Sequence, residues 1–195
     1  QAMAGVFFVG MTNGLMFSYY AEGAFVMIKL LGLSPIQYGM TFILFACATI
    51  IGGWMTSMLY ARYEVNQVVR AGVCTIIMAL LCSVVVVGAS LILPISNVVL
   101  LSTIVVVHVV TMGGRCLVTS SAISAALSEY RDCSGVASSV FCFLSYGVTT
   151  LCTAGMGFLH NGTLFPLPFY FLFLALCLLV VERLLAASVR ESGKS

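Results

Sequence analysis

Two charged residues stand where hydrocarbon is expected. Glu22 follows Tyr20-Ala21 inside the first apolar stretch, and Arg115 follows Gly113-Gly114 inside the fourth. A carboxylate or guanidinium at bilayer depth costs roughly 3 kcal/mol even on lenient insertion scales, and it usually faces a bundle interior or a wet cavity. Burial disfavours the charged form of a carboxyl, so a carboxyl so placed can take up a proton and give it back. A guanidinium stays charged and needs an anion or water. Glu22 and Arg115 are therefore the candidate proton and substrate site, Glu22 for a proton or cation and Arg115 as a counter-charge or an anion-binding group.

Helical spacing adds neighbours to both. His108, Thr111, Arg115 and Thr119 recur at intervals of three to four and share one face. Val105, Val106, Val110 and Val118 lie elsewhere around the same segment. A one-sided polar stripe running on toward Ser120, Ser121 and Ser124 suits the wall of an aqueous cavity, or hydrogen-bonded glue between two helices. In the first stretch Thr12, Leu15, Ser18 or Tyr19, Glu22, Phe25 or Val26, and Lys29 fall along one side. Lys29 is near the end of that stretch and can snorkel. Tyr19, Phe25, Lys29, His108, Thr111, Thr119 and Tyr146 are the expected cavity lining. A static Glu22–Lys29 or Glu22–Arg115 pair that only sets helix register is the structural alternative. Gly113-Gly114 marks a bend or a close helix approach.

The elements that must position these residues are long apolar helices. The 195-residue chain is 62% hydrophobic and only 7% charged, with a mean hydropathy of +1.16. A soluble globular domain carries roughly 25% charged residues, so this chain cannot cover itself in water. Its net charge of +2 is small and scattered, which excludes a nucleic-acid partner. Six stretches, at about 4–30, 36–60, 68–92, 97–127, 134–158 and 164–186, each approach or exceed the roughly 20 residues a helix needs to span a bilayer. They predict one all-α membrane domain over 1–187 and a cytoplasmic tail over 188–195. Gly32-Leu33-Ser34-Pro35, Pro94-Ile95-Ser96-Asn97 and His160-Asn161-Gly162-Thr163 supply turns. Period-two alternation is absent, which argues against strands.

Arg62, Arg70, Arg131, Arg183, Arg190 and Lys194 lie by the even loops and the C-terminal end, against Lys29 alone by the odd loops. This bias predicts both termini of the segment in the cytoplasm. Gln1-Ala2-Met3 enters the membrane at once, which reads as one half of a longer polypeptide. The eight cysteines lack Cys-x-x-Cys or His spacing for a metal and read as small apolar packing residues. Asn161-Gly162-Thr163 fits the glycosylation sequon but hugs the membrane. No cofactor motif is present. Nor is there a Gly-x-Ser-x-Gly, His-Glu-x-x-His or paired-Asp arrangement, so an enzyme is not expected.

The order of several segments resembles a known family. Glu22-Gly23-Ala24-Phe25, then Leu31-Gly32-Leu33-Ser34-Pro35-Ile36-Gln37-Tyr38-Gly39, is similar to the seventh helix and outer loop of the bicyclomycin-resistance (Bcr/CflA) branch of the major facilitator superfamily. Gly52-Gly53 through Arg62 and Arg70-Ala71-Gly72 continue the likeness. So do Ser124-Ala125-Ala126-Leu127 and Ser134-Gly135-Val136-Ala137-Ser138-Ser139. The family usually has Ser-Pro-Phe where this chain has Gly23-Ala24-Phe25, and often a proline where Ser120 stands. Glu22 and Arg115 match no motif of the family.

The resemblance implies helices seven to twelve of a twelve-helix transporter in a bacterial inner membrane, facing an N-terminal six-helix half. It implies proton-coupled antiport, with efflux of drugs or small metabolites by alternating access and a role in multidrug resistance. Partners would be the small-molecule substrate, protons, that other half and the lipid bilayer. The first, second, fourth and fifth spans would line the cavity, with Phe25 and Tyr146 as its apolar wall. The alternatives are an importer or facilitator of a small anionic metabolite, and a non-transporting membrane scaffold subunit. The three-plus-three inverted repeat expected of such a half is not visible in the sequence.

Overall fold

The computed structural model describes residues 2–128, 130 and 133–192, without the side chains of 187–192. Arg131 and Lys194, two of the basic residues used for orientation, lie outside the described residues, as do the side chain of Arg190 and the last three residues, 193–195, of the expected tail. The chain forms six helices and, among the described residues, no strand. They are α1 (Ala2–Ala24, continued by a π-helical stretch, Phe25–Leu30), α2 (Pro35–Tyr60), α3 (Val65–Ala89), α4 (Asn97–Leu127), α5 (Ser134–Leu159) and α6 (Pro166–Ser192). All six are long and apolar enough to cross a membrane, which fits a multi-pass integral membrane protein.

Turn chemistry sets the helix limits. Gly32 takes φ +77°, a left-handed conformation open to glycine. Ser34 then caps α2. Its Oγ accepts from the Gln37 N–H at 3.2 Å, and Gln37 Oε1 accepts from the Ser34 N–H at 2.9 Å, a reciprocal capping box ahead of Pro35. The same device starts α3 earlier than the apolar run suggests. Gln67 Oε1 accepts from the Glu64 N–H at 3.3 Å, so the helix opens at Val65 rather than at 68 and ends at Ala89 rather than at 92.

Lipid offers no hydrophobic drive for helices to associate, so close backbone approach and interhelical hydrogen bonds carry the assembly. Glycines do this at three seams. A Cβ on Gly10 would lie 2.6 Å from Val148 Cβ and one on Gly14 2.5 Å from Cys152 Cβ, so α1 and α5 meet almost backbone to backbone. Thr149 Oγ1 donates to the Gly10 carbonyl at 3.0 Å across that seam. Gly52 on α2 meets Gly113, and Gly72 on α3 meets Gly114. Gly113-Gly114 is thus a contact point on both flanks of α4, which stays α-helical from Asn97 to Leu127. Close approach is what the paired glycines provide.

The neighbours repeat. α1 packs along α5 as α4 packs along α2; α6 packs on α1 as α3 packs on α4; and α1 meets α4 while α3 meets α6. Exchanging α1 with α4, α2 with α5 and α3 with α6 leaves this set unchanged. The contacts also give direction. Gly5 meets Ala126 and Thr12 meets Thr119, so α1 and α4 are antiparallel. Gly10 meets Val148 and Glu22 meets His160, so α1 and α5 are parallel. Gly52 meets Gly113 and Tyr60 meets Ser121, so α2 and α4 are parallel as well. Two three-helix units of opposite direction make up the bundle. α5, α1, α4 and α2 form one layer, backed by α6 and α3, and the other side of α1 and α4 is left open.

Candidate functional site

Glu22 is buried, 6% exposed, at the end of α1 remote from its N-terminus. Its partner comes from the far end of the chain. His160 Nδ1 donates to Glu22 Oε1 at 2.7 Å and lies 2.9 Å from Oε2. His160 is the residue that closes α5, and its side chain is 41% exposed. The sequence-level alternatives for a fixed pair, Lys29 and Arg115, are not the ones formed. Lys29 points outward, its Nζ 5.5 Å from the centroid of the Phe25 ring, and is exposed. Phe25 in turn sets its ring edge-on to His160, centroids 4.8 Å apart. Glu22, Phe25, Lys29 and His160 therefore form one cluster where α1 meets the α5–α6 turn.

Arg115 belongs elsewhere. Its Nη1 donates to Asn13 Oδ1 at 2.9 Å across the α1–α4 seam. Asn13 is nine residues before Glu22, roughly 13 Å along a helix rising 1.5 Å per residue. Arg115 is half-buried, its Nε is shielded and has no hydrogen-bond partner, and among the described residues it forms no ion pair. Thr119, one turn on, shares a 3.1 Å hydrogen bond with Thr12 on α1.

The rest of the polar stripe on α4 turns inward. His108 is 1% exposed and Thr111 is 2%. Both bond their own helix, His108 Nδ1 lying 2.7 Å from the Ile104 carbonyl and Thr111 Oγ1 donating to that of Val107 at 2.8 Å. Tyr19, fully buried, packs on His108 with centroids 4.2 Å apart, and Phe45 and Phe171 close the cluster. Tyr19, His108 and Thr111, expected to line a cavity, sit in a filled aromatic core, because α1, α2 and α6 converge on that face of α4. Of the stripe, Arg115 and Thr119 remain half-open. Tyr146 is 56% exposed on α5.

Two participants escaped sequence reasoning. His160 reads as a turn residue beside Asn161-Gly162-Thr163, and it stands 138 residues from its partner. Asn13 adjoins Thr12 in an apolar span, and a carboxamide at bilayer depth is itself a signal. A cavity of about 390 Å³ opens at the opposite end of the bundle from Glu22, lined by Phe8, Glu64, Asn66, Ser121 and Glu182 among others. Glu182 pairs at 3.6 Å with the neighbouring Arg183. No group of three or more metal-ligating side chains occurs among the described residues. No model of a known protein family matches this chain.

Proposed function

We propose that this chain is one half of a secondary active transporter that exchanges protons for drugs or small metabolites by alternating access. The observation that carries the reading is the pair of three-helix units of opposite direction, α1–α3 and α4–α6, whose neighbours interchange. Inverted repeats of this kind build transporters that rock around a site at the repeat interface. The likeness to the Bcr/CflA branch of the major facilitator superfamily points the same way. On this reading the open side of α1 and α4 faces a second six-helix half, and both termini of the segment lie in the cytoplasm of a bacterial cell.

Glu22 is the proton site of the proposal. An ionised Glu22 accepts from His160 and ties the end of α1 to the end of α5. A protonated carboxyl offers a weaker acceptor and no charge, so the tie loosens and the two helix ends part. Proton uptake thereby favours one arrangement of the bundle over another. The test uses the intact polypeptide in proteoliposomes with an imposed pH gradient, a trapped pH-sensitive dye and a panel of small amphipathic compounds. Compound-dependent proton flux is expected, and Glu22→Gln should abolish it. Unchanged pH-driven flux in that variant would overturn the proton site; no flux with any compound would overturn exchange.

A further inference from the structure

We propose that Arg115 and Asn13 form a binding point for the carboxylate of an aromatic or otherwise apolar acid on the open side of α1 and α4. The inference rests on the transporter reading for its purpose, but the binding it asserts can be measured without transport.

The chemistry is that of a donor-only site. A guanidinium carries five N–H donors and no acceptor. One of the five is used, on Asn13 Oδ1 at 2.9 Å. With that oxygen engaged, Asn13 has its two amide N–H groups left to offer. The residual capacity of the pair is therefore all donor, and the group that fits it is an oxyanion, which can accept from the planar guanidinium in two places at once. The flanking helices do not supply one. The charged side chains of α1 are Glu22 and Lys29, that of α3 is Arg70, and α2 has none. Glu22 is taken by His160, and among the described residues no carboxylate pairs with Arg115. Among the four guanidinium N–H groups left over is that of Nε, shielded and without a partner.

The body of the ligand is read from the next turns of α1. Phe17 and Tyr20 follow Asn13 at helical spacing of four and seven and so share its side. They are 38% and 37% exposed and meet edge to face, centroids 5.9 Å apart. Tyr20 continues into Phe42 of α2 at 5.3 Å. A carboxylate held at Arg115 would have an aromatic step beside it. An acid with an apolar ring fits this better than a small or multiply charged anion.

The experiment is equilibrium binding of radiolabelled benzoate to the intact polypeptide purified in detergent, with acetate and inorganic phosphate as competitors. Saturable benzoate binding is expected, displaced weakly by acetate and by phosphate. Arg115→Gln should weaken it at least tenfold, which corresponds to ~1.4 kcal/mol. Arg115→Lys, which keeps the charge but loses the fork, should fall between wild type and Arg115→Gln, and Phe17→Ala should weaken benzoate but not acetate. If Arg115→Gln fails to fold, Arg115→Lys and Asn13→Leu carry the comparison. Equal benzoate affinity in wild type and the folded variants would overturn the site. Phosphate outcompeting benzoate would overturn the carboxylate assignment. Binding as expected without any proton-coupled flux would leave this site standing and refute the proposed function alone.

Discussion

The contact between Glu22 and His160 lends itself to a double-mutant cycle. His160→Ala removes the donor to a carboxylate that is only 6% exposed and leaves both oxygens without their partner, at 2.7 and 2.9 Å in the intact protein. Breaking a fully buried ion pair by deleting one member costs roughly 3–5 kcal/mol. Here the imidazole is 41% exposed, so water can reach the vacated space and the loss should be about 2 kcal/mol, within the range for an unsatisfied buried acceptor. For a chain of this length that is roughly 4–8 °C in the melting midpoint. Glu22→Gln/His160→Ala should lose little more than either single change, giving a coupling of about 1 kcal/mol or more. The assay is thermal unfolding of detergent-solubilised protein followed by circular dichroism at fixed pH. If His160→Ala melts within about 1 °C of wild type, or the two changes simply add, the contact contributes nothing and the latch reasoning is refuted.

Other expectations are simpler to check. Gly10→Val drives a side chain into Val148 and the Ser145 carbonyl, 2.6 and 2.9 Å from the new Cβ, and should cost about 2–3 kcal/mol by overpacking; a comparable melting midpoint would show that α1 and α5 can part there freely. Gly53→Val, beside Gly52 but with nothing within 4 Å of an added Cβ, is the control and should change the midpoint little. Orientation can be read by labelling single introduced cysteines in a cysteine-free background. Asn161→Cys should react with an impermeant thiol reagent from the outside of intact cells, and Glu64→Cys only after the membrane is opened. The reverse pattern would invert the topology inferred from the basic residues.

The existence of the six helices was legible because each is a long apolar run between recognisable turns. Gly32 to Pro35 announced a boundary within a residue of where the Ser34 box sets it. The onset of α3 was less legible, since Glu64 and Gln67 are polar residues inside the helical hydrogen-bonding and not outside it. Which helices touch was not legible at all. In a bundle bathed in hydrocarbon the buried and exposed sides are equally apolar, as Val118, fully buried, and Val106, 58% exposed, illustrate on one helix. The same loss of contrast put His108 and Thr111 on a supposed cavity wall when they face a core. Glu22 and Arg115 stood out from their surroundings by charge, but their partners did not. His160 acquires meaning only once α5 is known to lie beside α1, and Asn13, polar enough to be noticed, acquires its partner only once α4 is.

The π-helical stretch Phe25–Leu30 bears on how the chain can vary. Its turns are closed by longer loops than those of an α-helix, as in the Leu31 N–H bonding the Val26 carbonyl five residues back. The stretch therefore holds more residues per turn than α1 needs to span the same height. It lies between two fixed points, the Glu22 latch and the Ser34 cap. Removing one residue within it should let α-helical bonding resume, with neither fixed point displaced far along the axis. The side chains beyond the deletion would keep roughly their present facing, because the residue lost is the one that the wider turn holds in excess. Length can change here by a single residue while the bundle is kept, so the segment above Glu22 tolerates an insertion or deletion that the α-helical part of α1 does not.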